Sequence, residues 1–189
     1  KIYAIDFEYC GPDGEIPKIV CMVIEDLRSG EVSRYWRDDL CEMRTPPFET
    51  GEDVALLGYY APAEVQSMLA LGWDVDASVI DLFAEFRCQT NGNPYVGRKS
   101  LVSALQLYGL EQFIPEEKDS MRDLIRSGGP WSKAQHSAIL DYCQQDVVAL
   151  GPLLNAMLRH APWSELQFNQ ALLRGRYMKA VGAMQHRGI

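Results

Sequence analysis

The first ten residues, KIYAIDFEYC, constrain this chain more than any other stretch. An apolar run from Ile2 to Ile5 reads as a strand bound for a core, yet it leads straight into Asp6-Phe7-Glu8. Side chains on a strand alternate faces, so Asp6 and Glu8 share one face and Phe7 points to the other. Two carboxylates side by side on an apolar strand repel each other and lose hydration. A divalent cation between them removes that cost, and carboxylates are the oxygen ligands that Mg²⁺ and Mn²⁺ prefer. From this stretch alone, an edge strand whose acidic end faces water is the alternative.

The rest of the chain supplies the order of elements. Strands are expected over 1–9, 16–26 and 31–38, with Arg28-Ser29-Gly30 as the turn between the second and third. Residues 39–52, with Pro46, Pro47 and Gly51, read as a loop. A fourth strand over 54–60 is apolar enough to be central, and Pro62 marks the helix that follows it. A short fifth strand is expected over 78–82. Helices follow over 100–109, with Ser100 as N-cap and Gly109 as stop, and over 116–129. A long helical pattern starts at Ser132, with a break expected near Gly151-Pro152, and a last helix spans about 164–186. Three antiparallel strands followed by alternating helices and strands give an α/β fold, a mixed five-stranded sheet with helices on both faces.

Within the long helix, ILDYCQQDVVAL (139–150) places Tyr142 and Asp146 four residues apart and so on one face, at the margin of an apolar stripe. A solvated Asp beside a half-buried Tyr is one reading; a second part of an acidic centre is the other.

An acidic strand and this late helix together resemble the DEDD superfamily of 3′→5′ exonucleases, which is DnaQ-like and RNase H-like in fold. Tyr four residues before the last Asp is similar to the DEDDy branch; the other branch has His five before it, where this chain has Asp141. The resemblance implies two divalent metal ions, Mg²⁺ or Mn²⁺, held by Asp6, Glu8 and Asp146, with Tyr142 orienting the attacking water. The family's second motif, Asn-x-x-Phe-Asp, falls on YYAPAE, where Tyr60, Ala63 and Glu64 occupy the motif places. Glu64 then stands for the Asp and reaches a metal through water. Its alternative is a first-turn acid favoured by the helix dipole. Asp81 and Asp53 are rival fourth acids.

The same resemblance implies release of nucleoside monophosphates from the 3′ end of single-stranded DNA. Phe7 (through its backbone), Tyr60, Met68 and Leu69 are candidates to meet the terminal nucleotide, although such residues equally serve a core. Lys118 and Arg122, four apart on one helix, could hold phosphate or form an ordinary charged surface. IDLFAEFRCQTNG, EKDSMRDLIRSGGPW and ALLRGRYMKAVGAMQHRGI resemble the proofreading part of family A DNA polymerases of bacteria, phages and plasmids. A division into an exonuclease domain (1–158) and a basic helical extension (159–189), leading toward a polymerase region in a longer chain, is therefore expected. An exoribonuclease similar to RNase D and a catalytically weak scaffold beside a polymerase are the competing expectations. A DDE-type integrase shares the fold class but has no need of Tyr142.

Charge is consistent with an acidic metal centre rather than non-specific nucleic-acid binding. The net charge is −8, and a body this acidic cannot hold phosphate by charge alone. Residues 1–158 carry 13 basic and 25 acidic side chains, against five and one in 159–189. Five scattered cysteines with no CxxC pair suggest neither a zinc knuckle nor a disulfide framework, and a reducing, cytosolic setting is expected. No apolar run approaches the roughly 18 residues that span a membrane.

Overall fold

The first strand, β1 (Ile2–Cys10), is the middle of the sheet, because both of its edges find partners. The computed structural model describes residues 1–12, 14–114 and 118–189, and the Lys118 side chain lies outside the described part. On one edge β1 pairs antiparallel with β2 (Lys18–Asp26), and β2 pairs antiparallel with β3 (Glu31–Trp36). On the other it pairs parallel with β4 (Ala55–Gly58), which pairs parallel with β5 (Ser78–Asp81). The order is β3-β2-β1-β4-β5. This is the expected RNase H-like mixed sheet, three antiparallel strands followed by two parallel ones.

Seven helices cover it among the described residues: α1 (Arg37–Glu42), α2 (Ala61–Ala70), α3 (Leu82–Gln89), α4 (Leu101–Leu107), α5 (Lys118–Arg126), α6 (Lys133–His160) and α7 (Glu165–Arg187). The alternation along β1 separates two cores. Ala4 and Cys10 face a core shared with Ile139, Cys143, Val147 and Leu150 of α6. Tyr3, Ile5 and Phe7 face the opposite core, shared with Leu40 of α1 and Val65 and Met68 of α2. Asp6 and Glu8 therefore lie on the α6 side.

Two expectations are corrected. The third strand ends at Trp36, and α1 occupies the start of the stretch read as loop. Asp38 and Asp39 favour a helix N-terminus, the Asp39 carboxylate accepts from the Trp36 N–H (3.4 Å), and Leu40 anchors the turn in the core. The second correction is that α6 runs unbroken through Gly151-Pro152. A mid-helix proline costs about 3 kcal/mol. Leu150, Leu153, Leu154 and Met157 are all buried around it and offset that cost. Gly151 also lets α6 approach Leu27, whose Cδ2 would lie 3.1 Å from a Cβ there.

The last helix packs on the rest of the molecule. A Cβ on Gly175 would fall 1.8 Å from the Val79 carbonyl of β5, and one on Gly182 would fall 2.8 Å from the Pro62 carbonyl of α2. Arg174 of α7 donates two hydrogen bonds to the buried Glu85 carboxylate (2.6 and 2.7 Å). Among the described residues no helix is long and apolar enough to cross a membrane.

Candidate active site

The acids of the first strand meet α6 at the C-terminal end of β1. The Cys143 thiol donates to the Asp6 Oδ2 and to the Asp6 carbonyl, both at 3.4 Å. One ligand atom each from Asp6, Glu8 and Cys143 lies within 4.8 Å of the other two. Immediately after Glu8 the β1–β2 register shifts, with Val20 of β2 left between the partners of Glu8 and Tyr9.

Tyr142 precedes Cys143 and is 5% exposed. Burial first, and then the charges of Asp146 and Glu8, push its phenol well above the ordinary tyrosine range, while Arg122 of α5 opposes the rise. Asp146, Glu8, Arg122 and Asp6 therefore all bear on one phenol. Asp146 is half-buried one helical turn beyond it.

Glu64 arrives from the other core. It lies in the first turn of α2, is only 4% exposed, and crosses the end of the sheet beside Gly58. Its carboxyl accepts the Phe7 main-chain N–H and is held well above the usual carboxylate range, chiefly by burial and then by Asp6 and Glu8. Its Oε2 is buried and has no hydrogen-bond partner among the described residues. A buried, unpartnered carboxylate oxygen beside two more carboxylates is costly in water-free surroundings. It fits a divalent cation, the charge this donor set lacks.

Of the rival fourth acids, Asp81 lies near enough to raise Glu64 but is engaged by backbone amides, and Asp53 lies at the other end of the sheet. Asp81 is 1% exposed and caps two helices at once. Its oxygens accept from Phe83 N (2.8 Å) and Ala84 N (3.1 Å) at the start of α3, and from Tyr60 N (3.3 Å) and Ala61 N (3.0 Å) at the start of α2. Asp53 precedes β4, and its carbonyl accepts from the amino terminus at the opposite end of β1.

The substrate-facing candidates divide. Tyr60 is 38% exposed, adopts a left-handed conformation (φ 75°), and sets its ring edge-on to Phe83 with centroids 5.3 Å apart. The Phe7 side chain is core, as its alternation requires, and only its backbone reaches the acids. Met68 is a correction: it is 3% exposed, packed in the α2 core, and presents no wedge to a substrate. Leu69 is half-buried against the same core. Arg122 is exposed. The Lys118 expectation falls on a side chain outside the described residues.

Two residues at the site escaped sequence reasoning. Cys143 reads from the sequence as one more apolar position of α6, and only its contact with Asp6 marks it out. Tyr9 is 40% exposed, yet partial burial and the carboxylates of Glu64, Glu8 and Asp6 raise its phenol above the ordinary range. Strict alternation places Tyr9 with Phe7, on the side from which Glu64 arrives, and the sequence does not show that the two meet.

The sheet order and helical cover define the fold as that of RNase H-like nucleases, and solved structures bear this out. The NrnC protein of Brucella melitensis bound to pGG aligns with 99% of this chain and 85% of its own, with a TM-score of 0.68 and 15% identity. The same protein with bound Mg²⁺ aligns at 0.64 and 16% identity, covering 99% of this chain and 86% of its own. RNase D of Escherichia coli, described as an exoribonuclease involved in structured RNA processing, aligns at 0.55 and 14% identity. It covers 96% of this chain and 44% of its own. No family model matches the chain, and no curated protein matches it in sequence.

Proposed function

We propose that this chain is a divalent-cation-dependent 3′→5′ exonuclease of the DEDDy type, releasing nucleoside monophosphates from single strands. The observation that carries the reading is the convergence of Asp6 and Glu8 from β1, Glu64 from α2, and Tyr142 and Asp146 from α6, with one Glu64 oxygen buried and unpartnered. Asp6, Glu8, Asp146 and Glu64 would hold Mg²⁺ or Mn²⁺, two ions by the sequence resemblance. Cations so placed polarise a phosphodiester oxygen and lower the pKa of water.

The remaining roles belong to the chain. The Tyr142 phenol is raised, so it stays protonated at neutral pH and positions water by hydrogen bonding instead of acting as a base. Arg122 brings positive charge to the same place and suits a substrate phosphate. The exposed Tyr60 ring offers a face on which a terminal base can stack. Residues 159–189 serve as an extension that braces α2, the helix carrying Glu64.

Two substrate classes fit this proposal. Single-stranded DNA follows from the resemblance to polymerase proofreading domains, and linkage to a polymerase rests on that sequence resemblance alone. RNA has its own support in the RNase D neighbour, described as an exoribonuclease, while NrnC bound to pGG supports a nucleic-acid substrate without choosing the sugar. The deciding experiment incubates matched DNA and RNA oligonucleotides, and dinucleotides, with the protein and Mn²⁺ or Mg²⁺. Stepwise loss of mononucleotides from a free 3′ end, stopped by a blocked 3′ terminus, is the expected outcome. Cutting from the 5′ end or internally removes the assignment.

A further inference from the structure

Cys143 sits inside the carboxylate centre and nothing in the proposed hydrolysis uses it. Its thiol is fully buried, touches the Cys21 thiol, and lies 3.4 Å from Asp6 Oδ2. Two ligands of one tetrahedral Zn²⁺, a sulfur at about 2.3 Å and an oxygen at about 2.0 Å, stand about 3.5 Å apart. The observed separation is therefore what co-ligation by Asp6 and Cys143 requires, and Glu8 presents an oxygen to both within 4.8 Å. A second observation points to a cation here: Glu64 Oε2 is buried, no described group satisfies it, and its carboxyl lies near enough to Asp6 and Glu8 for their charges to disfavour its own.

We propose that Asp6, Glu8 and Cys143 form a binding site for thiophilic divalent cations of the zinc and cadmium class, overlapping the centre that would take Mg²⁺ or Mn²⁺. This rests on the carboxylate-centre reading above but not on the hydrolysis. Hard cations prefer oxygen donors and leave the thiol protonated on Asp6; soft cations gain a sulfur ligand. When such a cation binds, the Cys143 S–H bond breaks, the proton leaves to solvent, and a metal–sulfur bond forms. Zn²⁺ then competes with Mg²⁺ at Asp6 and Glu8, so trace zinc inhibits an enzyme that runs on magnesium.

The test is a cadmium titration followed by the ultraviolet thiolate-to-metal charge-transfer band. The full chain carries Cys41→Ser and Cys88→Ser, which remove the two exposed thiols. A saturable band, displaced by Zn²⁺ and not by Mg²⁺ at equal concentration, is expected. Cys143→Ala in that background should abolish it, with far-ultraviolet circular dichroism reporting the fold. Glu8→Gln keeps every thiol and stays informative if Cys143→Ala does not fold. It should weaken cadmium binding at least roughly tenfold, the loss already typical of outer-shell partners. No band in the background protein, or a band indifferent to Glu8→Gln, overturns the proposal. The band is read without substrate, so a protein that binds cadmium in this way but digests no oligonucleotide refutes the nuclease reading and leaves this site standing.

Discussion

The Glu64 side chain passes so close to Gly58 that its Cγ lies 3.3 Å from where a Cβ on Gly58 would stand. Gly58 ends β4, and Glu64 is in the first turn of α2, so this contact sets how a residue from one core reaches acids on the other side of the sheet.

A methyl group at position 58 therefore has a defined effect. Gly58→Ala should push Glu64 by a few tenths of an ångström while costing about 1–3 kcal/mol in stability, the range for overpacking. Misplacement on the ångström scale costs up to about 100-fold in rate, so a loss of roughly 10-fold in kcat for oligonucleotide digestion is expected. Glu64→Asp should keep more activity than Glu64→Gln, because shortening the arm preserves its charge. Steady-state digestion with Mn²⁺ measures all three. Wild-type kcat in Gly58→Ala would show that the site tolerates a moved Glu64.

Asp81 gives the opposite expectation. Its carboxylate accepts four backbone N–H groups at the starts of α2 and α3. Asp81→Asn replaces one acceptor oxygen by a donor that faces those N–H groups, and a buried unmade hydrogen bond costs about 1–3 kcal/mol. Chemical denaturation should show that loss, while kcat at saturating Mn²⁺ stays within a few-fold of wild type. Loss of hydrolysis without loss of stability would move the fourth acid from Glu64 to Asp81.

How much of this could be read beforehand depends on the physical range of each signal. The succession of elements along the chain followed from local patterns: β-branched runs, Gly and Pro punctuation, and Ser100 at a helix start, where its hydroxyl does accept the Ser103 N–H (3.2 Å). That Asp6 and Glu8 share a face, and Tyr142 and Asp146 another, was legible from fixed spacings, two on a strand and four on a helix. Met68 was not, because a residue on α2 can face either the sheet or the substrate, and only the packing of Trp73 and Val65 in the same core decides that. The unbroken α6 and the helical Arg37–Glu42 are likewise tertiary outcomes, in which burial overrides a local breaker. Cys143 was invisible for a related reason: a buried cysteine on an apolar stripe reads as a small hydrophobe until its neighbour across the core is known.

Tyr142 and Asp146 separate positioning from ligation. Asp146→Ala removes a proposed metal ligand and should bring hydrolysis to background. Tyr142→Phe keeps the ring and loses one hydroxyl, so a roughly 10- to 1000-fold drop in kcat is expected, in line with about 2.7–4 kcal/mol at most for one catalytic hydrogen bond. KM should change little, because the phenol orients water and not the strand. A Tyr142→Phe protein as active as wild type would leave Tyr142 as packing, and the raised phenol as a consequence of burial alone.

The buried Glu64 makes stability itself a probe of the centre. Unfolded, a glutamate loses its proton near about 4.3. Folded and free of metal, Glu64 keeps its proton to higher pH, because burial first and then Asp6 and Glu8 disfavour the charge. Between those two values the folded state holds more protons than the unfolded state, so stability falls as pH rises. Asp81 adds the same sign from a start near about 3.9, since burial outweighs its four amides and raises it too. In chelator, the unfolding midpoint should therefore decline as pH climbs from the glutamate range toward neutrality. Saturating Mn²⁺ favours the charged carboxylates, so it should raise the midpoint most at neutral pH and flatten the decline. Glu64→Gln cannot ionise and should show a shallower decline in chelator and a smaller gain from Mn²⁺. Thermal unfolding followed by circular dichroism across this range decides the matter. A metal-free wild type with the same pH slope as Glu64→Gln would mean that Glu64 is already charged when buried, and that the centre needs no cation to hold it there.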